Sequence, residues 1–316
     1  MKLKSLFSLL LLTPLVACSQ ASYEKRFFLF DTMMDITLND GDKSNLDDIG
    51  ALLKTYDALS DNYLQREITN IYSINQTNEE VSISPELYKF LEVSFAAKNE
   101  GATYFNPLCG SLAKKWKESL KNQQILDENT KNAEILKINN SSLTFKDNNI
   151  IQRFGEAEID LGGIVKGYVL DEVYSYLSNK EITHYLINGG SSSILVGEKN
   201  NKTGLFNVGI RDLKNAYFQV KNCFVSVSGI STQGVKIGDT MYSHIINPIT
   251  GDAVNENDAV IVISDKGYLG DALSTSMMLN TVEEIKAIET EQNVKAIVIK
   301  NKEIIYCHKG IEVKRH

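Results

Sequence analysis

The sequence predicts an α+β fold, with mixed sheets packed against helices, and three observations lead there. Apolar residues recur at helical spacing in the first third of the chain. Short apolar runs punctuated by glycine turns fill residues 194 to 263. The two kinds of segment do not alternate one for one, as they would in a doubly wound sheet. The chain's 316 residues are 43% hydrophobic and 23% charged, enough for a sizeable core and too apolar for a disordered chain. The formal net charge is −7 with no basic run to offset it, which excludes a nucleic-acid partner.

Residues 1 to 17 read as a lipoprotein signal peptide. Lys2 and Lys4 form a charged start, Leu6 to Val16 an apolar stretch too short to span a membrane comfortably, and Leu15-Val16-Ala17-Cys18 resembles a bacterial lipobox. Cys18 would then be lipidated, and residues 18 to 26 would tether a single domain, 27 to 316, to the extracytoplasmic face of a membrane in the cell envelope. Cys109, Cys223 and Cys307, odd in number and widely spaced, suggest neither disulfides nor zinc.

Phe27 to Leu38 reads as a first strand. Asn45 to Asn75 places Ile49, Leu52, Leu53, Tyr56 and Leu59 on one helical face. Ser84 caps a helix with Pro85 at its first position, running to about Asn99. Residues 118 to 150 are polar and form an excursion of small elements. Glu156 to Leu161 reads as a strand, Ile164 to Leu177 as a helix and His184 to Asn188 as a strand. Turn signals fall at Gly204, Gly229, Gly238 and Gly251. A helix begins at Asp271, and Val294 to Ile299 and Glu303 to Cys307 close the chain as strands joined by Asn301-Lys302.

Four segments carry candidate chemistry. In Ile159 to Tyr168 (IDLGGIVKGY) a turn with two glycines opens a helix, so free N–H groups and Lys166 could meet a phosphate; Asp160 could hold a metal, a ribose hydroxyl or a ring nitrogen, or simply cap the helix. The Gly-Gly-Ser-Ser loop within Leu186 to Ile194 (LINGGSSSI) could cradle a polar ligand or form a hairpin turn. Ser226-Val227-Ser228-Gly229 precedes Tyr242 to Gly251 (YSHIINPITG), where His244, one of four histidines, could accept a proton or be held by a carbonyl. In Gly270 to Thr275 (GDALST), Asp271 and Thr275 share a helix face, a pairing suited to a hard cation such as Mg²⁺, or to a cap beside a solvent-facing threonine.

In this order, and together with Phe30-Asp31-Thr32, residues 60 to 75 (SDNYLQREITNIYSIN), and Phe105 to Leu112 with Trp116, these segments resemble the FAD:protein FMN transferases, the ApbE-like flavin transferase family. The resemblance implies a T-fold-like α+β architecture. It also implies Mg²⁺-dependent transfer of FMN from FAD to a threonine hydroxyl of a target protein, with release of AMP. The acceptor would be an extracytoplasmic protein with an FMN-binding domain. Carried onto this chain, Gly163, Asp271 and Thr275 would hold Mg²⁺. Tyr63, Tyr104, Phe105, Asn106, Asp160, Lys166, Ser228 and Ile245 would contact FAD, and His244 would take the proton. The chain departs from the family where Phe30-Asp31-Thr32 replaces Met-Gly-Thr and Phe105-Asn106-Pro107 replaces Phe-Asp-Pro. An FAD pyrophosphatase and a lipid-anchored flavin-binding protein without turnover are the alternatives.

Overall fold

The computed structural model describes residues 22 to 315 apart from 212, 231 to 233 and 255. The signal peptide, Cys18 and the start of the tether therefore lie outside the described residues. The tether is shorter than the sequence suggests, because Tyr23 to Arg26 already belong to a strand.

Two strands, β1 (Tyr23–Leu29) and β2 (Thr32–Leu38), replace the single strand expected over Phe27 to Leu38. They pair from Tyr23↔Leu38 to Leu29↔Thr32, leaving Phe30-Asp31 as a two-residue turn. Such turns need positive φ at both positions. Phe30 and Asp31 have φ of 53° and 55°, and the Phe30 N–H donates to Asp57 Oδ1 at 2.6 Å. Asp31 pays for that backbone, whereas glycine would not. Asp31→Gly is expected to stabilise the fold by about 1 kcal/mol, raising Tm by about 2 °C. A lower Tm in a thermal melt would mean that the Asp31 side chain contributes more than its backbone costs.

The chain continues through α1 (Lys43–Ser60) and the short α2 (Ile71–Asn75), separated by an irregular stretch where one long helix was expected. After β3 (Glu80–Ser82), α3 (Pro85–Ala96) begins as the sequence indicates, with Ser84 Oγ accepting the Leu87 N–H and Pro85 at the first position. The polar excursion begins in the last turn of α4 (Gly110–Lys121) and contains α5 (Glu128–Asn139) and β4 (Ser142–Lys146), and β5 (Ile150–Phe154) starts at its end. Glu156 to Leu161 is not a strand. Its Ile159 N–H is bonded by a side chain, Asn75 Oδ1, and its Asp160 N–H by the Pro107 carbonyl, so no neighbouring strand is involved.

Helix α6 (Val165–Asn179) leads to β6 (Tyr185–Gly189), β7 (Ser193–Val196), β8 (Phe206–Gly209), β9 (Ala216–Val220), β10 (Cys223–Gly229), β11 (Val235–Ile237), β12 (Thr240–Tyr242) and β13 (Ala259–Ser264). Helix α7 (Gly267–Met277) starts four residues before Asp271, and α8 (Val282–Gln292), β14 (Lys295–Lys300), β15 (Glu303–Cys307) and β16 (Lys314–Arg315) end the chain.

Eight strands form one antiparallel sheet in the order β1-β2-β6-β7-β10-β13-β14-β15. Side chains alternate across a strand, and its central strands are apolar on both faces. Phe224, Val260, Val262, Ala296 and Val298 face a large core shared with the helices. Val225, Ala259, Ile261, Ile297 and Ile299 face a second core, closed by Phe206, Phe218 and Val220 of the small sheet β16-β9-β8.

Helices α6 and α7 pack on the first face so closely that a side chain on Gly167 would begin 2.1 Å from the Gly267 carbonyl oxygen. No larger residue fits there. Asp171 of α6 locks the pair, its carboxylate accepting the Gly267 and Tyr268 N–H groups at 2.7 and 2.8 Å in the first turn of α7. Among the described residues no helix is long and apolar enough to cross a membrane.

Candidate functional site

Thr32, Asn188, Ser193, Ser228 and Ala259 all lie at or next to strand ends in the large sheet, and they border a cleft of about 1430 Å³. Typical small-molecule pockets run to about 1,000 Å³, so this one has room for a dinucleotide. Every candidate residue among those described lines it: His244, Tyr63, Tyr104, Phe105, Asn106, Asp160, Lys166, Ser228, Ile245, Gly163, Asp271 and Thr275.

At its floor lies Asp271, 6% exposed, on the α7 face that meets α6. One carboxylate oxygen accepts from Ser193 Oγ at 2.8 Å and Ser226 Oγ at 2.7 Å; the other accepts from the Gly167 N–H at 2.7 Å. Burial raises its pKa, opposed by the nearby Lys166 charge and by these donors. One turn on, Thr275 Oγ1 lies 3.2 Å from Ser228 Oγ. Gly163 adjoins it, since a side chain there would begin 3.7 Å from Thr275 Oγ1.

Among the described residues no group of three His, Cys, Asp or Glu could hold a metal. A cation here would depend on one carboxylate, one hydroxyl and backbone carbonyl oxygen. That hard-oxygen set suits Mg²⁺. The fit rests on Asp271: its buried charge is met by hydroxyl and N–H donors, with no lysine or arginine within ion-pair distance among the described residues. A cation beside it would offset the cost of that burial.

The glycine turn above this floor is fixed from two sides. Asn75 Nδ2 donates to the Ile159 carbonyl at 2.9 Å while its Oδ1 accepts the Ile159 N–H at 2.8 Å. Arg153, buried, donates to the carbonyls of Asn75, Gly155 and Ala157. Asp160 Oδ1 accepts the Gly162 N–H at 2.7 Å, an interaction within the turn; it does not cap α6. The Tyr104-Phe105-Asn106 strip is tied to α7 by Tyr104 N–H donating to Ser276 Oγ at 3.0 Å.

His244 stands on a hairpin closed by the Ile246↔Ala253 bridge and by the Asn247 N–H bonded to the Asp252 carbonyl. Helices α4 and α5 hold this hairpin in place. Trp116 Nε1 of α4 donates to the Gly251 carbonyl at 2.6 Å, and Lys131 Nζ of α5 reaches Asp252 Oδ1 at 2.6 Å. Water reaches the imidazole through the cleft, yet protein crowds its other sides. That loss of hydration, with Lys166 nearby, pushes its pKa down to about 4. The ring is therefore neutral at pH 7 and free to accept a proton.

Tyr63 is 48% exposed. The ammonium groups of Lys114 and Lys117 lie 5.1 and 4.9 Å from its ring centre, so cations share the surface that a flavin ring would use. Phe30, at the strained β1–β2 turn, also lines the cleft.

Sequence reasoning assigned no role to Asn75, Arg153, Ser193 or Ser226, although Ser193 and Ser226 lie within segments it singled out. Ser226 left a signal: a polar residue at an inward position of the otherwise apolar strand Cys223 to Val227. Asn75 left none, because its role depends on a segment 84 residues away.

The ApbE family model matches residues 30 to 298. The chain is 25% identical over 268 residues to a protein of Klebsiella pneumoniae (strain 342) named FAD:protein FMN transferase, covering 80% of this chain and 82% of that one. A protein of the same name from Treponema pallidum is 24% identical over 234 residues, 67% of this chain and 64% of that one. The fold matches the crystal structure of the ApbE protein of Thermotoga maritima with a TM-score of 0.75 at 20% identity, covering 93% of this chain and 97% of the other. It matches the flavin transferase ApbE of Vibrio cholerae with a TM-score of 0.73 at 19% identity over the same shares.

Proposed function

The chain belongs to the ApbE family, and from that premise we propose that it is an FAD:protein FMN transferase acting, with Mg²⁺, on a threonine hydroxyl of an acceptor protein. The observation that carries the reading is the meeting of Asp271, Thr275, Gly163, Lys166 and His244 around one cleft large enough for FAD.

The acceptor oxygen attacks the phosphorus of the FMN half. A new P–O bond forms, the bridge to the adenylate half breaks, and AMP leaves with the bridging oxygen. A threonine hydroxyl is a poor nucleophile near neutral pH, so His244, neutral there, takes its proton during attack. Lys166 and the N–H groups of the glycine turn hold the diphosphate and offset its charge. Asp271, Thr275 and the Gly163 carbonyl would hold Mg²⁺, which when bound supplies charge stabilisation at the phosphates. The Trp116 and Lys131 contacts keep His244 from swinging away from the reacting oxygen.

We further propose, from residues 1 to 18, a lipid anchor at Cys18 and an extracytoplasmic location. The acceptor is then an extracytoplasmic flavoprotein.

The deciding experiment is mass spectrometry of a candidate acceptor domain after incubation with the protein, FAD and Mg²⁺. Transfer predicts a mass gain equal to FMN less one water, together with stoichiometric AMP. FMN and AMP release with an unmodified acceptor would make the protein a pyrophosphatase. Binding of FAD without turnover would make it a carrier.

A further inference from the structure

We propose that the mouth of the cleft is a docking surface for an acceptor that presents acidic residues around its target hydroxyl. This deepens the transfer reading and rests on it.

With a formal charge of −7, the chain has no compositional reason to gather cations at one place. Yet Lys117 and Lys121 of α4, and Arg211 and Lys214 between β8 and β9, all line the cleft and are all exposed. Lys117 and Lys121 are one helical turn apart and project from one face. Elsewhere on the same helix lysines are neutralised: Lys114 pairs with Glu158 at 2.7 Å and Lys115 with Glu134 at 3.1 Å. No ion pair holds Lys117, Lys121, Arg211 or Lys214 among the described residues. Lys117 instead rests on the Tyr63 ring at 4.9 Å.

The carboxylates facing the cleft do not cancel this charge. Asp271 is buried at the floor, and Asp160 is engaged with the Gly162 N–H. Only Asp31 is exposed among the described lining carboxylates, and Asp212 lies between Arg211 and Lys214 in the sequence. Four exposed cations against one exposed carboxylate among the described lining residues leave the mouth positively charged.

Lys117 adjoins the Tyr63 ring on which a flavin would lie, but Lys121, Arg211 and Lys214 have no part in the proposed reaction, in which Lys166 and the glycine turn hold the diphosphate. The exposed cations instead border the opening through which the attacking oxygen must enter, so whatever sits on them delivers that oxygen. Charges in this position steer a partner of opposite sign and fix its orientation. An anionic lipid surface would satisfy the same charges but would cover the opening, which favours a protein partner.

The test measures kcat/KM for an acidic acceptor domain that the wild type flavinylates, from low salt to about 0.5 M NaCl, where charges are screened within a few ångströms. The variants are K121E and, from the other element, R211E/K214E. At low salt each variant should lose about tenfold or more in kcat/KM for the acceptor. At high salt they should converge on the wild type, with FAD affinity unchanged throughout. Equal salt dependence in wild type and variants overturns the proposal. So does a loss confined to FAD affinity, which would place these cations on the substrate. Unaltered acceptor kinetics with lost binding to phosphatidylglycerol vesicles would assign them to a lipid surface and overturn it too. A wild type that modifies no acceptor brings down the transfer reading and this proposal with it, a failure visible before any variant is made.

Discussion

Asp271→Asn is expected to abolish transfer, by at least about 10³-fold, while leaving the metal-free protein as stable as the wild type or more so. The two effects have opposite signs because the carboxylate sits in a poor place for a charge. Its neighbours are Ser193 Oγ, Ser226 Oγ and the Gly167 N–H, with no ion-pair partner among the described residues. An asparagine can keep that geometry, with its carbonyl accepting from Gly167 and its amide donating to the serine oxygens. Burial raises the Asp271 pKa above the ordinary carboxylate range. The folded state therefore binds more protons at this site than the unfolded state does. On that account the metal-free wild type loses stability, relative to the variant, as pH rises through the raised pKa. Thermal melts with and without Mg²⁺ provide the check. Mg²⁺ should raise Tm in the wild type and leave the variant unmoved. Full transfer by the variant, or by the wild type in excess chelator, would remove the metal from the mechanism.

His244→Ala should reduce transfer by about 10²–10⁴-fold, the usual contribution of a positioned base. FAD affinity, read by fluorescence titration, should hold. The pH dependence follows from the same residue. Because crowding and Lys166 depress the His244 pKa, the base-competent neutral form persists below the usual histidine range. The wild-type kcat/KM for the acceptor should thus stay level from pH 8 down to pH 6 and fall only as the pH approaches about 4. A midpoint near 6.5–7 would indicate an unperturbed imidazole. A rate unchanged in the alanine variant would assign the proton to another group.

The chemistry-bearing residues were legible because each came with a local signature. Glycines sit beside a charge at 160 to 167, a carboxylate and hydroxyl lie one turn apart at 271 and 275, and a histidine precedes a turn at 244. Helix α3 was legible for the same reason, since Ser84 and Pro85 act on their own neighbours. What the sequence hid was the scaffolding. Glu156 to Leu161 looks like a strand because its residues are extended and half apolar. Its hydrogen bonds nevertheless go to a side chain, Asn75, and to the Pro107 carbonyl. The first hairpin was hidden because Phe30-Asp31 lacks the glycine or asparagine that usually marks such a turn. The mouth cations escaped notice because α4 and the β8–β9 connection are far apart in the chain and line one cleft only in the fold.

The Asp271 contact to Gly167 joins residues 104 positions apart, and the one to Ser193 spans 78. Loops of that length close late when a chain folds, since their entropy must be spent before the contact rewards it. The reaction centre is thus among the last things this polypeptide makes. Neither half of the molecule could work alone, and a nascent or partly unravelled chain would be unable to cleave the dinucleotide. Gain of activity during refolding should therefore track completion of the native topology, lagging the appearance of helices.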